Sequence, residues 1–126
     1  MPTAADVAER YAAAVAGGDD DALRALHAPA ARVWHNTDDT EQTIEENIAL
    51  SRWLRGKVPD LAFTDVTFAP TPDGFVRTHR MTGTGAGGPI SVPSCMVFTL
   101  DSDGLILRAA EYIDSAGLTP LRAPRA

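Results

Sequence analysis

The sequence predicts a single α+β domain, with helices first and a curved antiparallel sheet after them. Apolar residues recur at helical spacing up to about residue 57 and alternate with polar residues from there on. Gly, Pro and Asp separate the alternating runs, as is typical of hairpin turns. A chain of 126 residues has the usual size of one domain, so we expect residues 1–126 to fold as a single unit with a ligand-sized hollow between helices and sheet.

Capping residues and apolar spacing predict the first two helices. Thr3 can cap the first helix, with Asp6 at the third helical position, and Gly17 and Gly18 end it. Asp19 or Asp20 caps a second, shorter helix that stops before Pro29. A short strand follows at 32–36, where β-branched and aromatic residues occur.

A third and longest helix is expected to begin at Thr40 and to end near Gly56. The spacing of apolar residues then changes from about 3.6 to 2, which predicts four strands. These strands cover 61–69, 74–83, 89–100 and 105–113.

Charge and composition exclude several classes of function. The net charge of −6 and the pI near 4.8 leave no basic stripe for nucleic acid, and no stretch is long and apolar enough to cross a membrane. The three histidines, His27, His35 and His79, lie far apart, so no metal site is expected. A single cysteine and a first segment without a secretory pattern favour a cytoplasmic location.

Several segments in the right order carry a family resemblance: Val7–Tyr11, Leu23–Leu26, Val33–Asn36, Asp103–Ile106 and Glu111–Asp114. Together they resemble the nuclear transport factor 2-like superfamily, in its SnoaL-like and ketosteroid-isomerase-like branch, and more distantly the limonene-epoxide hydrolases. The resemblance implies a cystatin-like arrangement, in which a cone-shaped curved sheet, antiparallel or mixed, wraps around the N-terminal helices. It does not fix function, because the superfamily includes enzymes and non-catalytic binding domains.

The resemblance implies roles for three residues near the start of the chain. Tyr11 matches the oxyanion-binding tyrosine of the steroid isomerases. The family's proton-shuttling base falls at His35 in an ungapped match, or at Asn36 if the preceding loop has one extra residue. We expect Asn36 there, because Trp34 would then share its face and line the pocket. An asparagine cannot abstract a proton but can hold a substrate oxygen or a water.

The strand at 75–82 carries a cation on each face, and the sequence leaves open which face lines the pocket. If His79 points inward, it supplies a group suited to proton transfer at neutral pH. Limonene-epoxide hydrolases use an Asp–Arg–Asp set, in which Arg80 and Glu111 could stand for the arginine and one of the acids. The position of the other acid would be Thr82 in this sequence. That departure argues against the epoxide-hydrolase mechanism.

The last two strands contribute one residue each to the expected site. Cys95 occupies the place where steroid isomerases have a protonated aspartic acid, and a thiol is a poor donor, so that mechanism does not carry over whole. Glu111 would be desolvated and needs His79 or Arg80 as a partner. A Glu111–His79 pair could serve as an acid–base unit or as a structural salt bridge.

The site residues expected from the sequence are therefore His79 and Glu111 as catalytic groups, and Tyr11, Trp34, Asn36, Arg80 and Cys95 as substrate-binding groups. They suit an enzyme without cofactor, of isomerase, cyclase or hydratase/dehydratase type. Its substrate would be an apolar oxygenated molecule such as a polyketide, terpenoid or steroid. The alternative is a non-catalytic ligand-binding or dimerisation domain. The resemblance also implies a homodimer.

Overall fold

The computed structural model describes residues 2–121 and has three helices, six strands and a final 3₁₀ helix in that part of the chain. The helices are α1 (Ala4–Gly17), α2 (Asp20–Leu26) and α3 (Ile44–Lys57). The strands are β1 (His27–His35), β2 (Thr40–Gln42), β3 (Ala62–Thr71), β4 (Gly74–Gly85), β5 (Gly88–Leu100) and β6 (Ile106–Ile113). The C-terminal 3₁₀ helix covers Ser115–Leu121.

The caps of the first two helices confirm the predictions. The Thr3 hydroxyl accepts the Asp6 N–H, and the Asp6 carboxylate accepts the Thr3 N–H, which completes a capping box. Gly18 ends α1 with φ of 62°, a left-handed conformation that glycine adopts without steric cost. The Asp19 carboxylate then accepts the Ala22 N–H and caps α2.

The predicted start of the third helix was wrong. Thr43, not Thr40, caps α3, since its hydroxyl accepts the Glu46 N–H and the Glu46 carboxylate accepts the Thr43 N–H. The residue three positions after Thr40 is Thr43, whose short side chain cannot complete such a box. The segment Thr40–Gln42 instead pairs with β1 as the edge strand β2.

The six strands form one mixed, curved and open sheet in the order β2-β1-β6-β5-β4-β3. All neighbours are antiparallel except β1 and β6, which are parallel. β1 starts five residues earlier than predicted, and a register shift between His27 and Arg32 interrupts its pairing with β6. The α+β class is therefore confirmed, and of the two expected forms of the sheet, antiparallel or mixed, the protein has the mixed one.

The inner face of the sheet packs against the helices and forms the core. Phe75 and Phe98 stack at its centre with ring centroids 4.3 Å apart, and Val7 of α1 and Ile48 of α3 are almost fully buried over the sheet. Toward the other end of the same face, polar side chains replace the apolar ones. The site lies there.

Candidate functional site

Four side chains lie side by side in one row across the inner face of the sheet. His35 of β1 is paired with Glu111 of β6, Glu111 with Met96 of β5, and Met96 with Arg77 of β4. Directly opposed residues on neighbouring strands project to the same side of a sheet. The row therefore presents an imidazole, a carboxylate, a thioether and a guanidinium to the helices.

This row lines a cavity of about 330 Å³ between the sheet, the helices and the C-terminal 3₁₀ helix. The floor is buried, whereas the mouth is more exposed: Leu50 and Trp53 of α3 are 40% and 52% exposed. Leu118 and Leu121 of the 3₁₀ helix also contribute to the wall. A cavity with an apolar wall and a few convergent polar groups has the usual character of a small-molecule site.

Side chains of neighbouring strands lie against both oxygens of Glu111, and one of them donates a hydrogen bond. Nε2 of His35 lies 3.5 Å from Oε1, and the Ser94 hydroxyl donates to Oε2 at 3.1 Å. Burial raises the pKa of the Glu111 carboxyl, and the opposing effects of His35, Ser94 and Arg77 are smaller. A carboxyl with a raised pKa in a cavity is a candidate general acid or base.

Arg77 and His79 form the opposite side of the site. Nε of Arg77 donates to Nδ1 of His79 at 3.1 Å, which requires the neutral imidazole to carry its proton on Nε2. Burial and the Arg77 charge lower the pKa of His79 to about 4. His79 is thus a neutral hydrogen-bond donor at pH 7. The ring of Phe63 packs edge-on against it, with ring centroids 5.2 Å apart.

Tyr11 of α1 closes the site from the helix side. Its hydroxyl donates to Sδ of Met96 at 3.6 Å, and its ring packs edge-on against Phe98, with centroids 4.9 Å apart. The Arg77 guanidinium lies over the same ring, 5.4 Å from its centroid. Burial, with a further contribution from Glu111, raises the pKa of the phenol, so Tyr11 stays protonated at neutral pH.

Three of the seven predicted site residues line the cavity: Tyr11, His79 and Glu111. The sequence did not determine which face of β4 lines the cavity. In the structure it is the face that carries Arg77 and His79. The expected pairing of Glu111 with His79 or Arg80 is wrong, because its partners are His35 and Ser94.

The expectation that Trp34 and Asn36 line the cavity is also wrong. His35 lies between them and takes the inner face. Trp34 Nε1 donates to the Asp39 carboxylate at 2.8 Å, and its ring packs edge-on against Tyr112. The Asn36 side-chain amide donates to the Ile113 carbonyl and accepts the Ile113 N–H, both at 3.0 Å. It therefore serves β1–β6 pairing.

The expectation that Arg80 and Cys95 line the cavity is wrong as well, because their side chains lie on the outer face of the sheet. Arg80 Nη1 donates to the Ser91 hydroxyl at 2.9 Å, and Cys95 lies opposite Tyr112. With Asn36, both line a separate and more open groove. The residues missed were His35, which the ungapped match had offered, together with Arg77 and Ser94. The alternation of Ile90, Val92, Met96 and Phe98 was a sequence signal that would have placed Ser94 inside.

No group of three or more His, Cys, Asp or Glu side chains within residues 2–121 is arranged to hold a metal ion. No helix in that range is long and apolar enough to cross a bilayer.

Comparison with solved structures shows the same fold throughout. A candidate SnoaL-like polyketide cyclase from Jannaschia sp. CCS1 is 24% identical, with 97% of this chain and 93% of that chain covered and a TM-score of 0.81. IdmH, a candidate polyketide cyclase from Streptomyces antibioticus, is 19% identical over 92% of this chain and 95% of that chain, also with a TM-score of 0.81. At these identities the likeness concerns the fold alone.

A third structure, from Catenulispora acidiphila, has a ketosteroid isomerase-like fold and was solved in complex with trimethylamine. It is 18% identical, with 94% of each chain covered and a TM-score of 0.78. No curated protein matches the sequence significantly. The family model of the SnoaL-like domain matches residues 8–109, most of the chain. On that match, which the fold supports, the protein belongs to the SnoaL-like domain family.

Proposed function

We propose that this protein is an enzyme that moves protons on a small, apolar, oxygenated molecule without a cofactor. The reaction would be of the isomerase, cyclase or hydratase/dehydratase type, on a substrate such as a polyketide, terpenoid or steroid. One observation carries the proposal: a carboxyl of raised pKa, Glu111, is oriented by His35 and Ser94 in an apolar cavity that also holds neutral donors.

In this proposal Glu111 is the general base. Its desolvated carboxylate removes a proton from carbon next to a substrate carbonyl, which leaves an enolate and a neutral Glu111. A raised pKa makes this carboxylate a stronger base than an exposed one. Returning the proton to a different carbon completes an isomerisation. Alternatively, the enolate carbon attacks a second carbonyl, and the proton goes to the new alkoxide, which completes a cyclisation.

His79 and Arg77 would stabilise the oxygen on which negative charge develops. Because Nδ1 of His79 accepts from Arg77, Nε2–H remains to donate to that oxygen. A pKa of about 4 keeps His79 neutral and makes it a weak base at pH 7. We therefore assign proton transfer to Glu111 and hydrogen-bond donation to His79. Donors placed in advance in a dry site stabilise a developing oxyanion more than water does.

The proposal can be tested without knowing the natural substrate. 2-Tetralone is a bicyclic apolar ketone with acidic protons, so its deuterium uptake in D₂O, followed by NMR, reports enolisation. We expect the protein to accelerate uptake over buffer, and Glu111→Gln to reduce the acceleration by at least about 100-fold. Asp114→Asn is the matched control, because Asp114 follows β6 as an exposed carboxylate outside the cavity.

Equal rates for the wild-type protein and Glu111→Gln would overturn the assignment of Glu111 as the base. Binding of the ketone by the wild-type protein with no acceleration over buffer would favour the alternative, a non-catalytic ligand-binding domain. The two functions thus give different results in one experiment.

A further inference from the structure

Arg77 is a buried cation whose guanidinium faces the cavity. Its exposed fraction is only 3%, and it lies among the groups that line the hollow. Burial lowers its pKa, but an arginine keeps its charge in proteins. A charge taken out of water is costly unless an opposite charge and hydrogen bonds compensate it.

Within residues 2–121, no carboxylate forms an ion pair with Arg77. Its Nε donates to the neutral His79, and its flat face lies over Tyr11. Glu111 acts on it from a distance: β5 lies between β4 and β6, so two inter-strand spacings separate their backbones by about 10 Å. The terminal nitrogens Nη1 and Nη2 engage no hydrogen-bond acceptor in this range of the chain.

The other seven arginines in residues 2–121 are all more exposed than Arg77. Four of them have a carboxylate within 3.0 Å, although water would solvate their charges without it. These are Arg24, Arg52, Arg55 and Arg108. Arg10, Arg32 and Arg80 have no carboxylate partner either, but their side chains reach solvent. Among the arginines in residues 2–121, Arg77 alone is both buried and without a carboxylate partner. This contrast indicates that the compensating anion comes with the ligand.

We propose that the ligand carries a carboxylate that Arg77 binds through Nη1 and Nη2. The planar guanidinium matches a carboxylate with two parallel hydrogen bonds. Because Arg77 and His79 are themselves hydrogen-bonded, the carboxylate would lie close to the carbonyl that His79 polarises. The second part, the neighbouring carbonyl, rests on the proposed function, whereas the carboxylate site stands on the burial and geometry of Arg77.

The shape of the cavity sets the orientation of such a ligand. Arg77, His79 and Ser94 on the floor are less than 9% exposed, whereas Leu50 and Trp53 at the mouth are largely exposed. A ligand with its carboxylate on Arg77 therefore extends its apolar body toward the mouth. The substrate class is an apolar keto acid that enters with its acid end first.

Two probes of the same shape test the carboxylate site: 2-naphthoate and its neutral amide, 2-naphthamide, titrated calorimetrically at pH 7. We expect the wild-type protein to bind the carboxylate at least about tenfold more tightly, since a charge-assisted pair of hydrogen bonds replaces a neutral one. Arg77→Gln should abolish this preference. Arg77→Lys, which keeps the charge without the planar fork, should retain part of it.

Arg80→Gln is the matched control, because Arg80 is on the same strand but outside the cavity, and it should leave the preference unchanged. Circular dichroism on every variant separates loss of folding from loss of the site. Equal affinity of the wild-type protein for the two probes, or a preference that survives in folded Arg77→Gln, would overturn the proposal. A carboxylate preference without any Glu111-dependent deuterium uptake would instead overturn only the proposed function.

Discussion

His35 and Glu111 are opposed in the parallel pairing of β1 with β6, which brings Nε2 of the imidazole to 3.5 Å from Oε1 of the carboxylate. The Ser94 hydroxyl holds the other oxygen from the opposite side. The strands β1, β6 and β5 are consecutive in the sheet, although β1 is distant in sequence from the other two, and together they orient one carboxyl. A positioned group of this kind needs little reorganisation when a proton moves.

The hydrogen bond from Ser94 should help to set the pKa of Glu111. A donor to a carboxylate stabilises the charged form, so Ser94→Ala should raise the pKa of Glu111 further. Carboxyl ¹³C NMR titration of the labelled glutamates measures this directly. Ser91→Ala, on the same strand but exposed, is the control and should leave that pKa unchanged. An unchanged or lower pKa in Ser94→Ala would contradict the role given to this bond.

His79 should make stability depend on pH below neutrality. Its pKa is about 4 in the folded protein and near 6.5 in the unfolded chain, so between these values the unfolded state binds more protons. Stability present above pH 6.5 is therefore lost as the pH falls toward 4. The difference between these two pKa values corresponds to a decrease in the free energy of unfolding of roughly 3 kcal/mol at most.

Urea unfolding of the wild-type protein and of His79→Gln at pH 7.5, 6.0 and 4.5 would measure this loss. Glu111 has a raised pKa and so an opposite dependence on pH, but it is present in both proteins and largely cancels in their difference. The stability advantage of the wild-type protein should shrink as the pH falls. A difference that stays constant with pH would show that His79 is not buried as a neutral group.

The outer face of the sheet should mediate a homodimer. Val97 and Tyr112 are 39% and 48% exposed there, and the half-buried Trp34 packs edge-on against Tyr112. Exposed apolar side chains grouped on one face favour an interaction surface. We expect dimers in sedimentation-velocity experiments and monomers for Val97→Glu. Ala49→Glu, on the exposed side of α3, should remain dimeric, and a monomeric wild-type protein would contradict the prediction.

The two candidate caps of α3 should differ in their effect on stability. Thr43→Ala removes a capping box and should lower the free energy of unfolding by about 1 kcal/mol. Thr40→Ala alters an exposed position on the edge strand β2 and should change it by less than about 0.5 kcal/mol. Urea unfolding of both variants tests the order, and a larger loss for Thr40→Ala would contradict the assigned cap.

The order of elements could be predicted because local signals determine it. Thr3 and Asp19 cap their helices as predicted, and the four long strands lie between the expected turns. These features depend on neighbours in sequence, and each residue carries its own preference for them. The sequence therefore indicated the fold class and the presence of a cavity between helices and sheet.

The composition of the site was harder to predict because it depends on which side of a strand faces inward. Asn36 and Cys95 each lie one position from the residue that does face the cavity, namely His35 and Ser94. A shift of one residue reverses every side chain of a strand. In β1, which carries a register shift of its own, no local signal fixes that choice. Contacts with the neighbouring strand decide it.

The amide of Asn36 shows what holds the parallel pair together at its far end. It joins residues 77 positions apart, so the chain must close a long loop before this clamp and the neighbouring His35–Glu111 contact can form. Contacts of such separation are slow to form in folding, because their loop entropy is lost before they stabilise the chain. We therefore expect the acid–base pair to form late in folding, so that a partly folded chain without β6 in place has no proton-transfer site.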